Sequence, residues 1–305
     1  MKRWLIPHLI AFPLFCQAHP DDARFFAQGA LLYWQAEEGG LSYAIESASS
    51  TKNLPFNWDF GFNVGLGYRI PHDTWQLLLQ FTNLQTHTDA KSHADAKHAL
   101  LPTWQTPLAS ALAATAHWRL HLGLIDLSLS KPLHATSTLT LTPQIGIRWG
   151  SIRQKYNIAY QGSAEEVLLR MKNKFWGIGP SLGAAGDYAL TRSFSLIANA
   201  SITLLYGQFY LHQDTDTYPS KDKLLGVHSL YSALSPALGA GAGLRWQTGF
   251  SHNRYLLAIE LAWDQLILFS QNQLLRFAAA QPGCVLSNQG DLSLAGVHVG
   301  AALRF

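Results

Sequence analysis

Three stretches of the chain gather side chains of the kinds that move protons or bind metals. From Thr86 to His98 the run Thr86-His87-Thr88-Asp89-Ala90-Lys91-Ser92-His93-Ala94-Asp95-Ala96-Lys97-His98 nearly repeats itself. His93 follows Asp89 by four residues, so one helical turn would present an imidazole and a carboxylate to the same cation. Lys91 and Lys97 interleave with them and oppose a cation, which favours a solvated loop. His117 and His121 share one face of a strand with Arg119 between them, and a wet wall accounts for all three. His212, Asp214 and Asp216 form the third group, an imidazole beside two carboxylates, the parts of general acid–base hydrolysis. Gly-x-Ser-x-Gly, a phosphate loop and His-Glu-x-x-His are all missing from the sequence. The sequence therefore assigns no catalytic residue, no metal site and no cofactor.

A more dispersed set of charges carries the functional expectation. Asp59, Arg69, Arg119, Asp126, Arg148, Asp187, Arg245, Glu260, Asp264 and Arg304 are scattered singly, five basic and five acidic. What gives them meaning is the pattern around them. Only 13% of the 305 residues are charged, 48% are hydrophobic, and mean hydropathy is +0.03. So few charges at so neutral a hydropathy exclude both disorder and a helical membrane protein. Net charge is +3 with no basic run, so nucleic acid is not an expected partner.

The repeated motif is alternation. Across Trp58 to Arg69, even positions are large and apolar and odd positions small or polar. The same period of two recurs from Leu139 to Trp149, Phe194 to Tyr206, Leu238 to Trp246 and Tyr255 to Asp264, which makes these strands with two chemically different faces. The apolar faces repeatedly end in Trp or Tyr, as in Trp58, Tyr68, Trp149, Trp176, Tyr188, Tyr206 and Trp263. Aromatic strand ends fit the girdles at the two interfaces of a membrane-spanning barrel; a soluble sandwich alternates too, without that reason for aromatic ends. Short connections near Ile70–Asp73, Lys131–His134, Leu190–Arg192 and Thr248–Asn253 take turns with long polar ones near 47–56, 88–114, 157–171, 212–225 and 271–287. Nine connections predict an all-β, transmembrane, antiparallel up-and-down β-barrel of ten strands, with twelve as the alternative count and both termini periplasmic. The first strand is broken by Glu37-Glu38-Gly39-Gly40, and Leu124 and Ile125 both read as outward, which implies a bulge.

Parity then turns the ten charges inward, because a charge facing lipid near the midplane costs about 2–4 kcal/mol. They are expected to line the lumen, either as a hydrated path or as ion pairs that hold a filled barrel rigid. Glycines at 61, 65, 67, 239, 241 and 243 favour space over filling, while ten strands make a narrow lumen.

The two ends of the chain add expectations. Residues 1–18 carry Lys2 and Arg3, an apolar stretch and Cys16-Gln17-Ala18, the layout of a cleaved secretory signal peptide, leaving 19–305 as the barrel domain. Pro13-Leu14-Phe15 before Cys16 does not suit a lipoprotein site. Cleavage leaves Cys284 as the sole thiol, a free group or an intermolecular partner. Counting back from Phe305, alternate residues to Ala295 are apolar, the register of a terminal signal read by the barrel assembly machinery.

The stretch Leu32 to Ala44 resembles the opening strand of the Legionella-type pore-forming outer membrane proteins, which have major-outer-membrane-protein-like relatives in environmental chlamydiae. Trp58 to Tyr68 with Pro71-His72-Asp73-Thr74-Trp75 resembles that family's next hairpin, and Phe175 to Pro180 and Leu204 to Gly207 its later strands. The resemblance implies a porin-like pore in the outer membrane of a Gram-negative bacterium, passing small solutes or ions and contacting outer-membrane lipid. It carries no catalytic residue. It also raises the expectation that Cys284 links to an envelope partner by a disulfide. The competing class is a non-conducting barrel that serves as an adhesin or envelope scaffold.

Overall fold

A computed structural model describes residues 24–47, 50–71, 74–95, 98–220, 222–250, 255–277, 285–286 and 290–305. Residues 1–18, where a leader is expected, and Cys284 lie outside the described residues. Ten long strands form the wall: β1 (Phe25–Glu38), β2 (Trp58–Arg69), β3 (Gln76–His93), β4 (Ala113–Ser130), β5 (Leu139–Gln161), β6 (Glu166–Ala189), β7 (Phe194–Tyr218), β8 (Lys223–Phe250), β9 (Tyr255–Asn272) and β10 (Gly290–Arg304). Each pairs antiparallel with the next. β10 closes onto β1 from Phe26 opposite Arg304 to Glu38 opposite Leu292. A closed ladder leaves no strand edge, the condition for crossing lipid with strands. The expected ten-stranded up-and-down barrel is the fold.

Three details differ from expectation. The bulge near Leu124 is absent, because β4 keeps continuous register with both β3 and β5 through Leu124 and Ile125. The first strand breaks within Glu37–Gly40 as expected but does not resume in the wall: it stops at Glu38, and Gly40 takes a φ of 77° that suits glycine. The chain then forms Ala44–Glu46, which pairs with Thr51–Lys52 and Leu100–Pro102 in a small three-stranded cap. The long connections expected at 157–171 and 212–225 shrink to 162–165 and 219–222, because the strands run on through them.

Those extensions divide the molecule in two. A crossing needs about 9–11 residues, whereas β6, β7 and β8 have 24, 25 and 28. Near the termini, a lipid-facing band of exposed Ile145, Ile147, Leu182, Leu196 and Leu244 is flanked by aromatics. Phe25 meets Tyr68 and Phe250 meets Tyr255 at one border; Tyr33 meets Trp58, and Trp58 meets Trp263, at the other. Beyond that second border the wall continues with its polarity exchanged. On β6, Lys174, Lys172 and Arg170 now face out while Phe175, Met171, Leu169 and Val167 are buried inside.

The interior of this far half is a hydrophobic core. Trp118, Leu120, Leu122, Ile152, Tyr156, Phe209 and Leu268 are buried there, with Phe175 4.5 Å and Tyr231 5.5 Å from Phe209 between ring centres. The far-end connections fold into it: Leu41, Tyr43, Leu54, Leu100 and Trp104 are buried. Backbone acceptors in the first connection are satisfied by the wall and cap, with Tyr156 Oη donating to Leu41 O at 2.6 Å, Tyr160 Oη to Tyr43 O, and Trp104 Nε1 to Ser42 O at 2.9 Å. Arg276 donates to Gly40 O at 2.9 Å and lies 4.6 Å over the Trp104 ring.

Candidate functional site

The half of the lumen near the termini is polar and partly empty. Two cavities of about 560 and 330 Å³ share Gln28, Asn199, Glu260 and His298 in their walls and form one chamber. Every strand contributes through its inward parity, the face that the lipid leaves for polar groups. Arg148 Nε donates to Asp126 at 2.6 Å. Arg245 spans two strands' carboxylates, with Nε on Glu260 at 2.7 Å and Nη1 on Asp187 at 2.5 Å. His298 Nδ1 meets Asp264 at 2.6 Å. Asn63 bridges Thr82 and Gln80, each at 2.7 Å. Arg69 and Arg304 complete the rim of the larger cavity.

Eight of the ten expected residues therefore line this chamber: Arg69, Asp126, Arg148, Asp187, Arg245, Glu260, Asp264 and Arg304. Asp59 also faces inward and accepts from the buried Thr86 hydroxyl, outside the two cavities' linings. Arg119 is a correction. It is exposed on the outer wall, between buried Trp118 and Leu120. The expectation took apolar residues to mark the lipid face, and on this part of β4 they mark the core instead. The inward histidine His298, paired to Asp264, is missed by a parity argument that follows only formally charged residues. The lumenal glycines do not leave a clear path either. A Cβ on Gly67 would stand 2.0 Å from the Phe26 ring, and one on Gly243 would stand 2.2 Å from Leu261 O. They make room for neighbouring groups.

The other chemical clusters lie elsewhere. Asp89 and His93 belong to a strand rather than a helical turn, and Asp89 pairs with His117 Nδ1 at 2.5 Å on the exposed outer wall. His212, Asp214 and Asp216 are on the outward face of β7. Lys223 holds Asp214 at 2.8 Å and, with His212 at 2.6 Å, keeps its carboxyl below the usual range. Asp216 pairs with Arg170. In the cap, Glu46, Asp95 and His98 offer ligand atoms within 4.8 Å of one another, but the Lys52 ammonium already sits 2.5 Å from Glu46.

The family profile described as Legionella pneumophila major outer membrane protein precursor matches residues 20–305. No curated protein matches the chain. Among solved structures, the outer membrane protease OmpT of Escherichia coli aligns with a TM-score of 0.48 and 11% identity, over 94% of this chain and 97% of that one. A major outer membrane protein of Thermus thermophilus aligns at 0.38 and 12%, over 92% and 98%. The Ralstonia pickettii toluene transporter TbuX aligns at 0.36 and 12%, over 92% and 89%. A protease and a transporter stand side by side in that set, and likeness at these scores carries no functional argument.

Proposed function

This chain belongs to the Legionella pneumophila major outer membrane protein family, and from that premise we propose an envelope barrel that is closed at rest, with its termini toward the periplasm and its long connections outside the cell. One observation carries the reading: the hydrophobic core fills the far half of the lumen. The strands themselves contribute Trp118, Leu122, Tyr156, Phe209 and Leu268 to that filling, so moving a loop aside does not open it. The polar chamber is then a vestibule that ends against this core, and the protein serves the envelope as a scaffold and a display surface. In the same reading Phe305, exposed and paired through its backbone with Phe25 at the closing seam, is the contact for the assembly machinery. Cys284 is the thiol that links to an envelope partner.

A second reading, a porin-like path for small solutes or ions, is favoured by the charged chamber, which has the volume and polarity to hold hydrated ions. Planar-bilayer recording separates the two. The closed barrel gives no conductance steps and no swelling of sugar-loaded liposomes. Regular steps from the wild-type protein would establish the pore and overturn the scaffold. Orientation is read separately in a Cys284→Ser background: Ser163→Cys, in the far-end turn, labels with an impermeant maleimide on intact cells and Thr191→Cys does not. The reverse pattern would invert the barrel.

A further inference from the structure

The strand registers assemble a block of cations that no stretch of sequence contains. Across the hydrogen-bonded neighbours from β3 to β8, one row of the wall runs His87, Arg119, Lys155, Lys172, His212, His228. The adjacent row toward the apolar band runs Gln85, His121, Arg153, Lys174, Tyr210, Leu230. All twelve share the outward parity. Five are permanent cations on three neighbouring strands, and neither row contains a carboxylate.

Directly opposed residues on paired strands stand about 4.5–5.5 Å apart, and like charges there repel. Arg119 faces Lys155, Lys155 faces Lys172, and Arg153 faces Lys174. The nearest carboxylates, one row farther out, are committed: Asp89 to His117, and Asp214 to Lys223 and His212. A soluble protein would relieve such a block with acidic neighbours. Its position supplies another relief. Lys174 comes two residues past the outward-facing Trp176, about 7 Å along the strand, and lies 5.5 Å over the Tyr210 ring. Arg153 comes four residues past Trp149. That is the depth of lipid headgroups.

We propose that this block binds the phosphates of an anionic, phosphorylated lipid in the leaflet beside it. Each phosphate bridges cations on two or three strands and cancels the repulsion that the bare wall carries. The leaflet is the external one under the orientation proposed above.

The probe is diphosphoryl lipid A in phosphatidylcholine nanodiscs, which present it in both leaflets, so binding is read whichever way the barrel points and whether or not it conducts. Retained lipid A is counted by native mass spectrometry. The wild type is expected to retain at least ~10-fold more than the variant R119Q/R153Q/K155Q/K172Q/K174Q, with the excess falling as salt rises. The charge-keeping variant K155R/K172R/K174R should behave as wild type. Should the fivefold variant not fold, K155Q/K172Q is compared under the same conditions with a several-fold loss expected. Equal retention by the charge-neutral variants, or equal retention of dephosphorylated lipid, overturns the proposal. So does competition by inorganic phosphate at equal concentration, which would mark a site for soluble anions.

Discussion

Two halves of one strand illustrate how this barrel is built. On β6 the even residues face out from Leu168 to Tyr188, and no bulge interrupts the pairing with β5. Yet from Ile178 toward the termini the outward residues are apolar and the inward ones include Ser181 and Asp187, whereas before Trp176 the outward residues include Lys174, Lys172 and Arg170 and the inward ones Phe175, Met171 and Leu169, with Asn173 among them. The backbone decides which residues share a face. The medium on each side decides what those faces are. Where lipid surrounds the wall, apolar groups gain nothing by turning inward and the lumen keeps the polar set. Where water surrounds it, the hydrophobic effect fills the lumen as it fills a soluble core. The two halves are therefore stabilised differently: one by a sealed ladder with internal ion pairs, the other by packing.

The sharpest way to break that comparison uses adjacent residues. Trp118 is 1% exposed inside the far half and Arg119 lies exposed on the outside. Trp118→Ala is expected to cost ~3–5 kcal/mol, the usual loss for a large core aromatic. Arg119→Ala is expected to stay within ~0.5 kcal/mol. Urea titrations followed by heat-modifiable gel mobility measure both. A larger loss at Arg119 than at Trp118 would reverse the faces of β4 and remove the polarity exchange altogether.

That neighbouring pair also marks where the sequence stops being legible. The ten strands could be read because period-two alternation survives in either medium. The facing of Arg148, Arg245 and Glu260 could be read because they lie in the lipid band, where an outward charge is costly. Arg119 was misplaced because the alternation looks identical on both sides of the border and only its sense reverses. The signal existed: Leu120, Leu122 and Leu124 occupy one parity while Ile125, Leu127 and Leu129 occupy the other. That switch reads as a bulge if lipid is assumed throughout, and as a change of surroundings if it is not. The cation block was invisible for another reason. Arg119, Lys155 and Lys172 become neighbours only through register, and register depends on where strands end, which the polar runs at 157–171 and 212–225 concealed.

The next test asks whether the polar half is held by its ion pairs or merely wetted. Arg148 and Asp126 are each 15% exposed at the side chain and 2.6 Å apart. Losing one partner of a fully buried pair costs ~3–5 kcal/mol because the other charge is stranded; water in the chamber reduces that to about 2 kcal/mol for Arg148→Ala. Arg148→Ala with Asp126→Asn should recover most of the loss, since no charge is then left alone. Equilibrium unfolding of the two variants measures this. If Arg148→Ala costs nothing, water screens the pair fully, and the chamber behaves as an aqueous path rather than a clamped vestibule.

The smallest expected effect probes the border between the two halves. Glu38 ends β1 beyond the aromatic girdle, with Gln154 Nε2 donating to Oε2 at 3.0 Å and Oε1 buried without a partner. Burial holds its carboxyl well above the usual range, and the nearby Asp291 pushes the same way against the Gln154 bond. A carboxyl whose proton is held more tightly in the folded state binds more protons folded than unfolded at intermediate pH. Its contribution is thus fully present below the unfolded value of about 4.3 and is lost as pH rises toward the folded one. Glu38→Gln removes the titration. The variant should match the wild type in acid and exceed it by a margin that widens as pH rises to neutral. Unfolding midpoints across a pH series would show the curves diverging upward from the acid end. Parallel curves would mean that water reaches Glu38, so that the hydrophobic core does not seal the lumen at the level of the girdle.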